Sequence, residues 1–441
     1  MNKRIFGIIT AAVIIAGTVP AVSAAEVTYI TNEAELRAVA NNLSGSYALA
    51  NDIVLTGEWE PIGADPSTPF TGTFDGGGYS ISGLTIKENT FRYAGLFGAT
   101  NGAVIENLSI DNCNINTDEV GTEYYIGAVT AYNTGGTIRN CTVTGDVNMT
   151  MRSSRFLWGI PLDMTDAYGG GIAGYNTGVI ERCNVGANVS VHSDYYAAFA
   201  GGIAGYSTDE GRISECQLLG GVAAYSATGI THGGAGGITS HNYGTIENCC
   251  VKAYIATSGN YANSGGITSR NGGKISNCFY YGTVRSMIIW QMFPETSSGN
   301  MASENNGTIE NSYYITETGS TGESTGSGEG EGAEKIPEGS AGDMAMYPSL
   351  DFGTIWLIAE DGKPGLRNVK HVEAVKVDVP VYEEPDAYFG IVVDAGDGKQ
   401  TVITVMNDGK LRFTRSDNGT ETELSAGDTP ELPPGVYLIG Q

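Results

Sequence analysis

Three aspartates and three arginines sit on neighbouring stretches of variable sequence. Asp163 and Asp166 lie in "NMTMRSSRFLWGIPLDMTDAY" after Val147, and Asp194 lies in "SVHSDYYAAFA" after Val189, with Arg152, Arg155 and Arg285 nearby in register. Two carboxyl groups about 5 to 10 Å apart can hydrolyse a glycosidic bond. A base beside a neutralising cation would instead support elimination. The same stretches, with "AAYSATGITHGGA", "ATSGNYANS" and "RSMIIWQMFPETSS" further on, carry Trp158, Tyr195, Tyr196, Tyr261 and Trp290, along with Tyr168, Tyr225 and Phe293. Rings on loops beside Asn, Ser and Thr suit sugars, which need an apolar platform and hydrogen-bonding neighbours. The simpler alternative is that each ring packs beneath its own loop.

The carboxylates keep no spacing that defines a reaction, so no catalytic residue is assigned. Trp158, Tyr195, Tyr196, Tyr261 and Trp290 are the candidate ligand contacts. The four histidines, His192, His232, His241 and His371, have no metal-ligand spacing, and neither a phosphate-binding loop nor a GxSxG elbow occurs. No metal and no cofactor is expected.

These stretches interrupt a repeat, and the repeat is what must position them. "GGIAGYNTGVIERCNV" from Gly170 returns as "GGIAGYSTDEGRISECQL" from Gly201, "GGITSHNYGTIENCCV" from Gly236 and "GGITSRNGGKISNCFY" from Gly265. Alignment on Ile-x-x-Cys gives seven units, Ile105/Leu108, Ile138/Cys141, Ile180/Cys183, Ile213/Cys216, Ile246/Cys249, Ile275/Cys278 and Ile309/Ser312. A period in this range signals a stacked array. Short β-type runs separated by Gly, Asn and Thr, with no amphipathic helical stretch and no Trp-Asp signature, exclude helical repeats and propellers. Three short strands per turn are expected, giving an all-β parallel β-helix. A short N-terminal capping helix and a small C-terminal antiparallel β domain complete it.

In such a coil, equivalent residues stack about 4.8 Å apart. Ile and Cys then form inward ladders. Five of the seven cysteines occupy the repeat position, with Leu108 and Ser312 replacing Cys in the end units, so they read as buried free thiols rather than bridges. The residue after the ladder Ile runs Glu106, Arg139, Glu181, Ser214, Glu247, Ser276, Glu310. No two acids are adjacent, as expected where stacked like charges would repel.

The flanks complete the layout. Residues 1–24 combine a basic start, an apolar run and "AVSAA", the pattern of a secretory signal peptide cut after Ala24. Residues 25–93 carry a cap and the first strands, with Asn32 and Glu35 as a capping box and Leu36, Val39, Ala40 and Leu43 on one helix face. Repeats fill 94–317, a Gly/Ser/Glu linker 318–340, a closing coil 341–368 and the C-terminal β domain 369–441, with hairpin signals at "NDGK" and "DNGT". The formal net charge is −26, two units more negative without Lys3 and Arg4. Nucleic acid and anionic lipid are thereby excluded as partners. No later stretch is long enough to span a bilayer.

"AGLFG" at Ala94 and "GGIAG" at Gly170 and Gly201 resemble the GLUG motif of bacterial surface proteins. "GEWEPIG" at Gly57, "GTFDGGGYSISGLTI" at Gly72 and the closing "TIWLI…GKPGL" are similar to the segments that flank such repeats. The resemblance runs from Val27 to Asn368. It implies the right-handed parallel β-helix of adhesin-like secreted proteins, including the N-terminal parts of immunoglobulin A-cleaving metallopeptidases. Those enzymes need HExxH, which is absent here, so peptidase activity does not carry over. The motif also drifts, to "GAVTA" at Gly127 and "GGITS" at Gly236 and Gly265.

Together these features point to an extracellular, non-catalytic protein that binds a glycan or a cell-surface protein through its aromatic inserts. A polysaccharide-active lyase or hydrolase on the same scaffold, and a structural spacer, are the alternatives. Oligomeric state is not encoded in any recognisable pattern.

Overall fold

The computed structural model describes residues 26–87, 91–120, 123–152, 156–157, 160–161, 166–193, 197–226, 232–259, 261–287, 295–317 and 322–370, and the strands 387–394, 400–406, 411–415 and 421–424. One turn illustrates how the repeat folds. Thr137–Arg139 carries the ladder Ile, Thr142–Arg152 is the long strand, Ala167–Gly170 follows the insert, and Ala173–Asn176 closes the turn. Each strand pairs in parallel with its equivalent in the next turn. Among the described residues the result is four parallel sheets of ten, thirteen, seven and eight strands, named here the Ile, long, aromatic and Asn sheets.

The turn thus has four strands where three were expected. The run "GGIAGY" accounts for the extra one, because it breaks into two strands at a corner. A Cβ on Gly170 would lie 2.0 Å from the Ala173 carbonyl oxygen, so only glycine lets the chain bend this sharply. The corner residues still bond along the rod, Ile172 N–H to Ile203 O at 2.9 Å.

Inside, Ile105, Ile138, Ile180, Ile213, Ile246, Ile275 and Ile309 stack as one buried ladder. All seven cysteines are buried free thiols. In the ladder each Sγ donates to the carbonyl two residues earlier, 3.3 Å for Cys141 to Arg139 O and for Cys216 to Ser214 O. Burial pushes the Cys183 and Cys249 thiols well above their usual range, so they stay protonated. The residue before each ladder position is left-handed, with φ near 50° at Asn107, Asn140, Arg182, Glu215, Asn248, Asn277 and Asn311. Asn tolerates this conformation best among residues with a Cβ, which explains its recurrence there. Outside, the charges alternate in register, and Arg139 meets Glu106 at 2.6 Å.

The N-terminal end is closed by the helix Glu33–Ala38, which tightens into a 3-10 turn at Val39–Asn41. Asn32 Oδ1 accepts from Glu35 N–H at 3.0 Å, and Glu35 returns its carboxylate to Thr31 N–H at 2.7 Å. Leu36 and Val39 are buried and Leu43 packs on the core. Ala40 is exposed, because the tightened turn rotates it off the face assigned to it.

Two C-terminal expectations change. Within 318–340, expected as a linker, Thr325–Gly328 pairs with Ala302–Asn305 and Ala333–Lys335 pairs with Ser312–Thr316. Backbone pairing alone adds this last rung, which needs no apolar side chain. Residues 341–368, expected as a further coil, instead lie outside the long sheet, with Trp356–Ile358 and Pro364–Leu366 as an antiparallel hairpin. Outward-facing Cys250, Phe279, Tyr313 and Ile315 form the apolar patch that Tyr347, Trp356 and Leu366 cover. Beyond it, Ala387–Asp394, Gln400–Met406, Leu411–Arg415 and Glu421–Leu424 form a four-stranded antiparallel sheet in chain order. Among the described residues no helix is long and apolar enough to cross a membrane.

Candidate functional site

The long strands end in line. Thr150 pairs with His192, His192 with Tyr225, Tyr225 with Ser258 and Ser258 with Met287. The chain re-enters the aromatic sheet in line too, at Tyr124, Ala167, Ala198, Gly233 and Ala262. The variable stretches therefore all bridge the same two sheets along one edge of the rod. Of the candidate contacts, Trp158, Tyr195, Tyr196 and Trp290 lie outside the described residues, as do Asp163, Asp194, Arg155 and Phe293. Tyr261 opens the strand Tyr261–Gly265 on this edge, half-buried, with its ring centroid 4.8 Å from His232.

Behind the edge stand two outward columns of aromatic residues. Tyr93, Tyr125, Tyr168 and Phe199 stack along the aromatic sheet at 5.8, 5.6 and 5.1 Å. Tyr132, Tyr175, Tyr206 and His241 stack along the Asn sheet at 4.5, 5.3 and 5.6 Å. The columns meet edge to face, with Tyr125 and Tyr132 at 5.3 Å and 86°. Ring faces are therefore spent on neighbouring rings, and only edges and hydroxyls reach solvent. A sugar stacks on a ring face, so the columns are a rigid backing rather than a platform.

The same corner explains the motif's drift to "GGITS". Gly174 and Gly205 sit where the two sheets pinch together, and a Cβ on Gly205 would be 2.6 Å from Gly174 O. Further along, Ser240, Ser269 and Ser303 take this place, and the facing ring is replaced by Gly234, Asn263 and Ser297. Each serine hydroxyl donates to the carbonyl opposite, at 3.1, 3.0 and 2.8 Å. "AGY" thus belongs to an aromatic corner and "TSH" to a hydroxyl corner of one rod.

Charge gathers at the aromatic end. Glu123 and Asp166 stand in adjacent rungs, just before the register pair Tyr124 and Ala167. Tyr125 donates to Glu123 at 3.3 Å and Tyr168 to Asp166 at 3.0 Å. Burial raises the Asp166 carboxyl above the usual aspartate range; the Tyr168 hydroxyl offsets this, and the Glu123 charge adds to it. His241, buried against Phe199 at 4.5 Å, is pushed down to about 3 by burial and by the Arg270 charge. Arg270 pairs with Glu304 at 2.8 Å, and Glu304 also accepts from Asn263 at 2.6 Å. Among the described residues no group of three or more His, Cys, Asp or Glu could hold a metal ion.

The aromatic columns and Glu123 escaped sequence reasoning. The signal was the Tyr that follows "GGIAG" at Tyr175 and Tyr206, equivalent to Tyr132, one position before the inward Asn133, Asn176 and Ser207.

Residues 122–148 match the family model of the GLUG motif, so the chain carries that motif, and the match falls on the unit that reads "GAVTA". Halomucin of Haloquadratum walsbyi is 39% identical over 95 residues, 21% of this chain and 1% of that protein. A glycine-rich protein of Evansella cellulosilytica, provisionally named a membrane protein, is 35% identical over 116 residues, 24% of this chain and 13% of that protein. The chain thus spans only a small part of the length of these curated relatives. A solved structure from Bacteroides ovatus, named as a candidate immunoglobulin A1 protease, is 20% identical with a TM-score of 0.47, covering 78% of this chain and 92% of that one. An IgA1 protease structure is 12% identical with a TM-score of 0.46, covering 90% of this chain and 34% of that one.

Proposed function

We propose that this GLUG-bearing solenoid is an extracellular, adhesin-like protein that binds a glycan or a cell-surface protein along its insert edge, without catalysis. The observation behind this reading is the register of the long strands, whose ends from Thr150 to Met287 release every insert on one line. A ligand spanning several rungs can then engage several inserts at once, and weak contacts add. Trp158, Tyr195, Tyr196, Tyr261 and Trp290 are the proposed contacts. The leader at 1–24 supports export, and the acidic charge argues against nucleic acid as a partner. A glycan and cell-surface protein array probed with the mature chain, and with Trp158→Ala/Trp290→Ala, tests the reading. Loss of array binding with an unchanged melting temperature is expected, and binding that survives the double substitution overturns it.

A polysaccharide-active enzyme is the second reading, and one observation favours it. Asp166, whose carboxyl pKa is raised by burial, stands one rung from Glu123, and glycoside hydrolysis uses two neighbouring carboxyl groups of which one is held protonated. Release of reducing ends by the wild type, abolished in Asp166→Asn and Glu123→Gln, would establish it.

A further inference from the structure

We infer that the cavity beneath the closing hairpin is a binding site for a neutral carbohydrate unit, separate from the insert edge. The cavity has a volume of about 740 Å³, within the usual range of small-molecule sites, and lies between the hairpin and the outer face of the long sheet. Its chemistry is specific in three ways.

Tyr254 lines it with a half-buried ring. In the two aromatic columns rings are consumed by stacking, but Tyr254 has no ring partner, and its hydroxyl no hydrogen bond, among the described residues. Neighbouring Tyr281 is already taken, with Lys363 Nζ 4.1 Å from its ring centroid. One aromatic face is thus left for a ligand with an apolar side.

Gln217 lines the same cavity. It is 6% exposed, and its amide has no hydrogen-bond partner among the described residues. An uncommitted amide at the cavity wall can give a ligand both a donor and an acceptor. A purely apolar ligand would use neither.

The charges select against an anion. Lys252 lines the cavity with its side chain 12% exposed and is already neutralised by Asp361 at 2.7 Å. Glu317 and Glu360 add negative charge to the walls, and the one further cation there, Arg367, already donates to the Trp356 and Phe352 carbonyls. An anion would have to break the pair and face these carboxylates, whereas sugar hydroxyls can donate to them. An apolar ring face, paired hydroxyls and no net charge together describe a pyranose.

The test is titration of the full chain with maltose, cellobiose and lactose, with digalacturonate as the anionic comparator, followed by saturation-transfer NMR and calorimetry. Saturable binding of at least one neutral disaccharide is expected. It should weaken about tenfold or more in Tyr254→Ala and in the near-isosteric Gln217→Leu, and persist in Tyr254→Phe. Melting temperatures, measured alongside, show which variants fold, and Gln217→Leu stands alone if Tyr254→Ala does not. No binding up to tens of millimolar, binding indifferent to Gln217→Leu, or preference for digalacturonate would each overturn the inference.

Discussion

Ser207 and Asn242 face each other across one rung of the Asn sheet, and the Asn242 side-chain oxygen is buried without a partner. On either side the ladder is continuous, with Asn133 donating to Asn176, Asn242 to Asn271 and Asn271 to Asn305, each at 2.8 Å. Ser207 is one amide too short to complete the chain. Its own hydroxyl is orphaned as well.

Ser207→Asn should therefore stabilise the rod, by roughly 1 kcal/mol, the net worth of one such hydrogen bond. Chemical denaturation would show a higher midpoint at an unchanged slope. A lower midpoint would mean that the "STDEG" loop beside Ser207 leaves no room for the longer side chain.

The cysteine ladder makes a second prediction. Alkylation in denaturant without reductant should label Cys141, Cys183, Cys216, Cys249 and Cys278 completely, as read by mass spectrometry. Cys216→Ala should cost roughly 1 kcal/mol, on the scale of a small core truncation. Cys216→Asp should cost several times as much, because a charge without a partner replaces a buried thiol. Bridged peptides would refute the packing role.

His241 sets a pH dependence. Its folded-state value of about 3 lies below the ordinary imidazole value of 6.5. The unfolded chain therefore takes up a proton in that window while the folded chain does not. Stability from this group is fully present above about pH 6.5 and is lost as pH falls towards 3. His241→Phe, which keeps a ring against Phe199, should flatten the decline in melting temperature between these limits. An identical decline in both proteins would place the acid sensitivity elsewhere.

Gly205→Ala tests the pinch between the two aromatic columns. The added methyl would sit 2.6 Å from Gly174 O and 3.0 Å from Gly169 N, both backbone atoms with no freedom to move away. A loss of about 1–3 kcal/mol is expected, on the scale of overpacking. A neutral outcome would show that the sheets can separate there.

Period and ladder composition made the solenoid readable, because each rung repeats the same inward choices at Ile180, Cys183 and their equivalents. The cap was readable for a similar reason, since Asn32 and Glu35 act over one turn of chain. The fourth strand was hidden because its cause is a corner: the identity of Gly170 is visible in sequence, but its contact with Ala173 O is not. The segment 325–335 was misjudged because backbone pairing holds it without apolar side chains. The aromatic columns were missed for a different reason. Tyr125, Tyr168 and Phe199 are distant in sequence, and only stacking of rungs turns them into one surface. The hairpin at Trp356 resembled a coil because its apolar residues do pack, but onto Cys250, Phe279 and Tyr313 from outside.

A parallel solenoid is a polymerisation in which each rung templates the next, and every such growth needs a terminator. Here the terminator is the rung built from Thr325–Gly328 and Ala333–Lys335. It accepts pairing from the rung before it, yet it offers a newcomer little more than glycine, small hydroxyls, Ala333, Lys335 and the exposed carboxylates of Glu329, Glu331 and Glu334. Two rods meeting at this end would find open backbone but no large apolar side chain to bury and an excess of carboxylates to oppose. This end of the rod is quenched rather than blocked. Coils could be duplicated upstream of it, lengthening the rod and its insert edge, without the end having to be reinvented.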